Sequence, residues 1–431
     1  MLLLITRLWA QELAYEEYQL SNGLNVILHV DRSLPLVTVD IWYKVGSKEE
    51  AKGRSGFAHM FEHLMFMGTT RLPGNGFDVT MEAHGGWNNA WTMEDATNYY
   101  DVGPPNLLPM FLWMEADRMQ QLGEAMTKEK VDLQREVVRN ERRQSYEDSP
   151  YGVLWLEVPS MLYPADHPYA HTVIGTHEDL ESATLEDVKA FFSTWYVPNN
   201  ASLVVAGDFD PVAVRPLIEQ YFGGIKAGTL PERPVVAPAT QVVKASIELT
   251  DQVSDPQVSW FWHAPPRFAK DEAELELLAS LLGGGESSRL QRALVLSGLA
   301  QSADVYLMPT QLGSQFAIQV TVMEGVAVSE VEEVVARELQ LAATTLASSG
   351  EMERLKNQFE YEYFVGLEPL QARASLLNEY RAYVGTPGYL AQDIARFRAV
   401  TPEGIQAAAA RYLQPGLAAR ILVTPESGSA R

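Results

Sequence analysis

The 431-residue sequence contains no cysteine. That absence excludes disulfides, thiolate metal sites, iron–sulfur clusters and cysteine nucleophiles together, so any metal must be held by His, Asp or Glu. Positive charge is also scarce: 33 Lys and Arg stand against 56 Asp and Glu, a formal charge of −23. A chain this acidic repels phosphate backbones and anionic lipid, which sets nucleic acid aside as a partner. No apolar run approaches the roughly eighteen residues a helix needs to cross a bilayer, so no membrane span is expected. The first residues, MLLLITRLWAQE, look like the stub of an export signal, but no basic region precedes them and Arg7 breaks the apolar run. With the missing thiols, this leaves a periplasmic or other extracytoplasmic location only slightly ahead of the cytoplasm.

What is present is ordinary globular material. Apolar residues make up 46% and charged residues 21%, and the length suits two or three domains. Residues 24–30 (LNVILHV) and 37–43 (VTVDIWY) are short, β-branched and aromatic, and read as two adjacent strands. Residues 56–67 read as an apolar helix, 88–100 as strand, 107–122 and 127–147 as helices, and 201–207 (ASLVVAG) as a buried strand.

The proline-rich stretch 226–244 lacks helical period and is the linker candidate. The halves on either side resemble each other. TLEDVKAFFSTWYVPNNASLVVAGD (184–208) and TPEGIQAAAARYLQPGLAARILVTP (401–425) each open a helix with Thr-x-Glu and pass through a Pro turn into an apolar strand. Thr184 aligns with Thr401 and Tyr196 with Tyr412 at the cost of a single gap. The economical reading is a duplicated α+β fold, each copy a mostly antiparallel sheet packed with helices. The expected organisation is a first domain over 12–225, the linker 226–244, and a homologous second domain over 245–431.

Chemistry concentrates in FAHMFEHLMFMGT, residues 57–69. On a helix His59 and His63 lie one turn apart on one face, so both imidazoles reach a single ion, with Glu62 on the flank of that face. This is H-x-x-E-H, the inverted zinc-peptidase motif: two His hold the metal while Glu62 serves as general base toward a water. With eight His in the chain, chance would produce the pattern about one time in a hundred. Two core histidines on an apolar helix are the bland alternative, but burying Glu62 there without a cation would cost several kcal/mol. A second i, i+4 pair, His167 and His171, lies in a stretch where Pro164 and Pro168 forbid a regular helix, and reads as turn and packing chemistry. A catalytic zinc needs a third protein ligand, and spacing alone does not choose it.

HMFEHLMFMGT resembles the signature of the pitrilysin/insulinase family of zinc metallopeptidases, the inverzincins. The resemblance implies one Zn2+ per chain and a Glu as third ligand on a later helix. Glu141, preceded by the pair Val137–Val138, fits the family's placement of that ligand relative to the second His, with Glu136 as the local competitor. GGWNNAWTMEDATNYYDV resembles the family's substrate-binding edge strand, which places Asn89 and Ala90 against a peptide backbone. LLGGGESSRLQRALV (281–295) is similar to the glycine-bearing helix start of the family's second domain and, lacking Lys-Ser/Thr, is no phosphate loop.

Two positions depart from the family. Gln134 stands where an outer-shell Glu is common. Around Gly298-Leu299-Ala300, Leu294 and Gln301 occupy the places of an Arg and a Tyr that hold the substrate carbonyl. The resemblance therefore implies the zinc chain of a two-chain enzyme: an endopeptidase acting on peptides or unfolded polypeptides in a closed chamber. It would form a heterodimer with a homologous Arg/Tyr-bearing subunit that lacks the zinc motif, a homodimer being the alternative. A catalytically silent assembly or processing subunit of the same fold is the competing expectation.

Overall fold

Thr184 and Thr401 do the same job twice. Each accepts a backbone N–H of the first turn, from Asp187 and Gly404 at 3.1 Å, and starts the helices Leu185–Trp195 and Pro402–Tyr412. Each helix then passes through a 3₁₀ turn carrying Pro198 or Pro415 into a strand. The computed structural model describes residues 12–426, so the export-like stub at 1–11 lies outside the described residues.

The first sheet contains β1 (Glu16–Gln19), β2 (Asn25–Val30), β3 (Val37–Tyr43), β4 (Trp87–Thr92), β5 (Thr97–Gly103) and β6 (Ala201–Gly207), in the order β1-β2-β6-β3-β5-β4. The second contains β7 (Ser246–Asp251), β8 (Gln257–Ala264), β9 (Ala300–Met308), β10 (Ser314–Val322) and β11 (Ala419–Pro425), in the order β7-β11-β8-β10-β9. Apart from β1 the orders coincide strand for strand. Each sheet is antiparallel except for one parallel pair, β2 with β6 and β7 with β11. The fold is a duplicated α+β fold.

One strand reading is corrected. β2 and β3 are not neighbours, because β6 enters between them, parallel to β2 and antiparallel to β3. Both β3 and β6 are buried along their whole length, so a strand from much later in the chain can complete a sheet that local sequence leaves open.

Each sheet has a helix-covered core face. The first core gathers Val39, Ile41, Tyr43, Tyr99 and Leu203 with the helices Phe57–Leu64, Leu108–Ala125 and Leu185–Trp195. The opposite faces are covered reciprocally. Helix Leu370–Tyr383, from the second half, lays Ala374 and Leu377 on Ile27, Val204 and Ala206 of the first sheet. Helix Val153–Leu162, from the first half, lays Leu154, Val158 and Met161 against Phe261, Ala317 and Ile421 of the second. The segment 226–244 holds neither helix nor strand. The proposed division there separates the two sheets in sequence, yet each half lends the other a helix.

A polar bond fixes this exchange. Asn378 Nδ2, on the helix over the first sheet, donates to Asp40 Oδ1 at 2.7 Å and Asp40 O at 3.1 Å, and Asn98 Nδ2 donates to the same carboxylate at 2.9 Å. Burial pushes the Asp40 carboxyl up to about 7 despite these amide donors. Raised above its unfolded value, this acid favours folding while protonated. Its contribution is therefore complete below about pH 4 and is lost as pH rises through about 7. Asp40→Asn keeps an acceptor for Asn378 and Asn98 without the charge. Thermal melts should show a Tm several degrees above wild type at about pH 8 and a flatter dependence between about pH 4 and 7. An unchanged pH dependence contradicts this role of Asp40.

Candidate active site

The helix Phe57–Leu64 is amphipathic in only eight residues. Phe57, Met60, Phe61 and Leu64 are buried, with Phe61 stacked on Phe192 (5.7 Å between centroids) and packed on Tyr196 (4.4 Å). Its start is held from outside. Glu50, with a fully buried side chain, accepts the N–H groups of Gly56 (3.0 Å) and Ala58 (2.6 Å), two of the donors a helix start leaves free. Gly56 has φ +88°, and a Cβ there would sit 2.7 Å from Ile174 O, so the entry into the helix requires glycine. Burial drives the Glu50 carboxyl well above the ordinary range, and His171 Nδ1 lies 3.5 Å from it.

With the core face fixed, the remaining face presents His59 and His63, their rings 4.8 Å apart and nearly perpendicular. The facing helix is Lys128–Arg142, started by Thr127 and pinned by Arg135 to the carbonyls of Leu180 (2.9 Å) and Ala183 (2.6 Å). It brings Glu141 to the histidines: Oε1 is 3.6 Å from His59 Nε2 and Oε2 is 3.3 Å from His63 Nε2. Among the described residues, His59, His63 and Glu141 form a group whose ligand atoms all lie within 4.8 Å of one another. Glu136, the competing carboxylate, accepts from Arg139 Nη1 (2.8 Å) and is largely exposed. Gln134, two turns before Glu141, reaches the sulfur of Met67 and adds a small upward pull on the His63 pKa.

The donor set fits zinc. Two imidazole nitrogens and one carboxylate with an open side make a catalytic rather than a closed structural set, and tetrahedral bonds of about 2.1 Å imply ligand separations of about 3.4 Å. Burial holds His59 down to about 4, which leaves its imidazole neutral and its lone pair available. Burial also pushes His63 down, but bonding to Glu141 outweighs it and the net shift is upward; the same bond lowers Glu141. The three groups share proton and charge as a unit.

Glu62 is not in that group. Thr92 Oγ1, at the end of β4, donates to Glu62 Oε2 at 2.6 Å, and burial raises the carboxyl while this bond lowers it. A raised, half-buried carboxylate beside such a donor set suits a general base. β4 is the edge strand of its sheet, so its outer backbone groups are open to another strand. Asn89 and Ala90 lie on it, Asn89 exposed, and Ala90 N donates to Asn89 Oδ1 at 2.8 Å. The second His pair goes elsewhere: His167 accepts from Tyr169 N (3.0 Å) and stacks on Tyr163, while His171 faces Glu50. Leu294 is buried in the second core, and Gln301 on β9 donates to Asp255 (2.8 Å). The glycines at 283–285 close helix Glu272–Gly283 and precede a further helical turn. Glu50 and Thr92 had escaped the motif reading; the acidic pair Glu49–Glu50 shortly before a helix start is the available signal for the first.

The geometry predicts metal affinities. Glu141→Ala should cut zinc retention in equilibrium dialysis from about one ion per chain to near none, and Gln134→Glu should tighten binding about tenfold. Equal zinc retention by wild type and Glu141→Ala contradicts the ligand assignment.

Residues 25–176 match the family described as Insulinase (Peptidase family M16), and residues 182–359 match that described as Peptidase M16 inactive domain. Zinc protease PqqE of Helicobacter pylori is 32% identical over 373 residues, 85% of this chain and 83% of that protein. The crystal structure of a protease from Helicobacter pylori has a TM-score of 0.88 at 28% identity, over 96% of this chain and 100% of that one. The periplasmic protease PqqL from Escherichia coli shares the fold, with a TM-score of 0.76 at 19% identity; the match spans 95% of this chain and 47% of PqqL. Among the described residues, no helix is long and apolar enough to cross a membrane.

Proposed function

Because the chain belongs to the pitrilysin/insulinase family of peptidases, we propose that it is a zinc-dependent endopeptidase whose site is His59, His63, Glu141 and Glu62. The observation that carries this is the convergence of both imidazoles on Glu141, with Glu62 held beside them by the edge strand. Zinc bound by His59, His63 and Glu141 would polarise the scissile carbonyl and lower the pKa of its water to about 7.

The chain's own residues do the rest. A peptide pairs with the open edge of β4, and Asn89 releases the Ala90 N–H so that the substrate carbonyl can take it. Thr92 holds Glu62 in one rotamer, and Glu62 takes the proton of the attacking water and delivers it to the departing amine. Leu294 and Gln301 offer no cation or phenol to the developing oxyanion, so a homologous partner chain supplies an Arg and a Tyr. The length relation to PqqL, of which this chain spans about half, supports a two-chain enzyme enclosing a chamber for unfolded peptides.

The match of 182–359 to a domain described as inactive favours a second reading, a silent assembly or processing subunit. Quenched-fluorescent peptide assays of the chain, alone and with a homologous Arg/Tyr-bearing chain, separate the two. Glu62→Gln should keep its zinc and lose at least about a hundredfold in kcat, and Thr92→Val should lose about tenfold with zinc unchanged. Zinc-loaded chain with no Glu62-dependent cleavage under either condition supports the silent subunit instead.

A further inference from the structure

Beside the candidate site residues of the two halves line a half-open cavity of about 690 Å³, far more than one side chain fills. Its wall includes Glu94, Tyr146, Trp155, Tyr169, His171 and Arg267. It adjoins the reaction centre along two paths. Glu94 follows shortly after Thr92, which touches Glu62. Tyr146, about one helical turn past Glu141, has its hydroxyl raised first by burial and then by the charges of both Glu141 and Glu94.

The charges in this wall are answered, with one exception. Arg267 pairs with Glu379 and lies over the rings of Phe268 and Tyr383. His171 faces Glu50. Asp95, next to Glu94, is saturated: Lys48 Nζ (2.7 Å), Tyr169 OH (2.6 Å), Gln311 N (2.8 Å) and Tyr383 OH (3.2 Å) all donate to it. Glu94 has its own backbone N–H and, among the described residues, no side-chain hydrogen bond or ion pair with another residue. Burial raises its carboxyl, and the already engaged Lys48 offsets this only in part. Half-buried in the cavity wall, the Glu94 carboxylate is free to pair with a cationic group that enters the cavity.

We infer that Glu94 is a specificity-determining residue that receives the cationic side chain of an Arg or Lys in the bound peptide. The rings of Tyr146, Trp155 and Tyr169 line the same cavity and suit the long apolar stem and planar head of an arginine. The inference rests on the peptidase reading for the statement that the occupant is a peptide.

The test reads binding, so it does not depend on turnover. In the Glu62→Gln full-length chain, fluorescence anisotropy is measured with otherwise uncharged octapeptides carrying one Arg moved stepwise along the sequence, each matched to a citrulline twin of the same shape without the charge. At one position the Arg peptide should bind at least about tenfold more tightly than its twin. Adding Glu94→Gln should remove that preference, and Glu94→Arg should transfer it to a glutamate-bearing peptide. Equal or absent binding of every Arg and citrulline pair overturns the inference, as does a preference that survives Glu94→Gln. Failed cleavage by the wild type would overturn the enzyme reading while leaving this comparison readable.

Discussion

Two N–H groups and one buried carboxylate set the site. Glu50 accepts from Gly56 and Ala58, fixing where the helix Phe57–Leu64 begins and therefore which way its residues face. One residue of slippage would rotate the helix by about 100° and swap Phe61 for Glu62 in the aromatic cluster. The core face, wedged against Phe192 and Tyr196, and the Glu50 cap thus act together to hold His59 and His63 towards Glu141. His171 belongs to this arrangement through Glu50, as a positioning residue behind the histidine helix.

The duplicated fold explains why the chemistry is lopsided. Apart from β1 both sheets share one strand order, yet helices of the first half turn His59, His63 and Glu141 toward one another while Leu294 of the second is packed in core. Leu294 is packed away and Gln301 is tied to Asp255, so the second half brings no cation to the site at those positions. What it does bring is containment. The exchanged helices and the bonds of Lys48 and Asp95 with Gln311 join the halves around the cavity beside the site.

Much of this was legible in the sequence, for physical reasons. The His59-Glu62-His63 spacing needs only helical geometry, and the Thr-capped helix–turn–strand repeat at 184 and 401 announces itself locally. The insertion of β6 between β2 and β3 was not legible, because pairing between strands so far apart in the chain leaves no trace in either strand. The reciprocal helix exchange escaped for the same reason: Val153–Leu162 and Leu370–Tyr383 each bury one face, and a buried face does not say which sheet it covers. Glu141 needed the family resemblance, since its helix is charged on many sides and only the fold shows Glu136 turned to Arg139.

The proposed chemistry depends on a metal held by His59, His63 and Glu141 with Glu62 left free. Its most direct test is a crystal structure of the zinc-loaded chain with anomalous scattering recorded at the zinc edge. The expected result is one anomalous peak bonded to both Nε2 atoms and the Glu141 carboxylate, a fourth position open to solvent, and Glu62 outside bonding distance. Zinc held through Glu62, Glu136 or the His167–His171 segment, or closed off by four protein ligands, would contradict it.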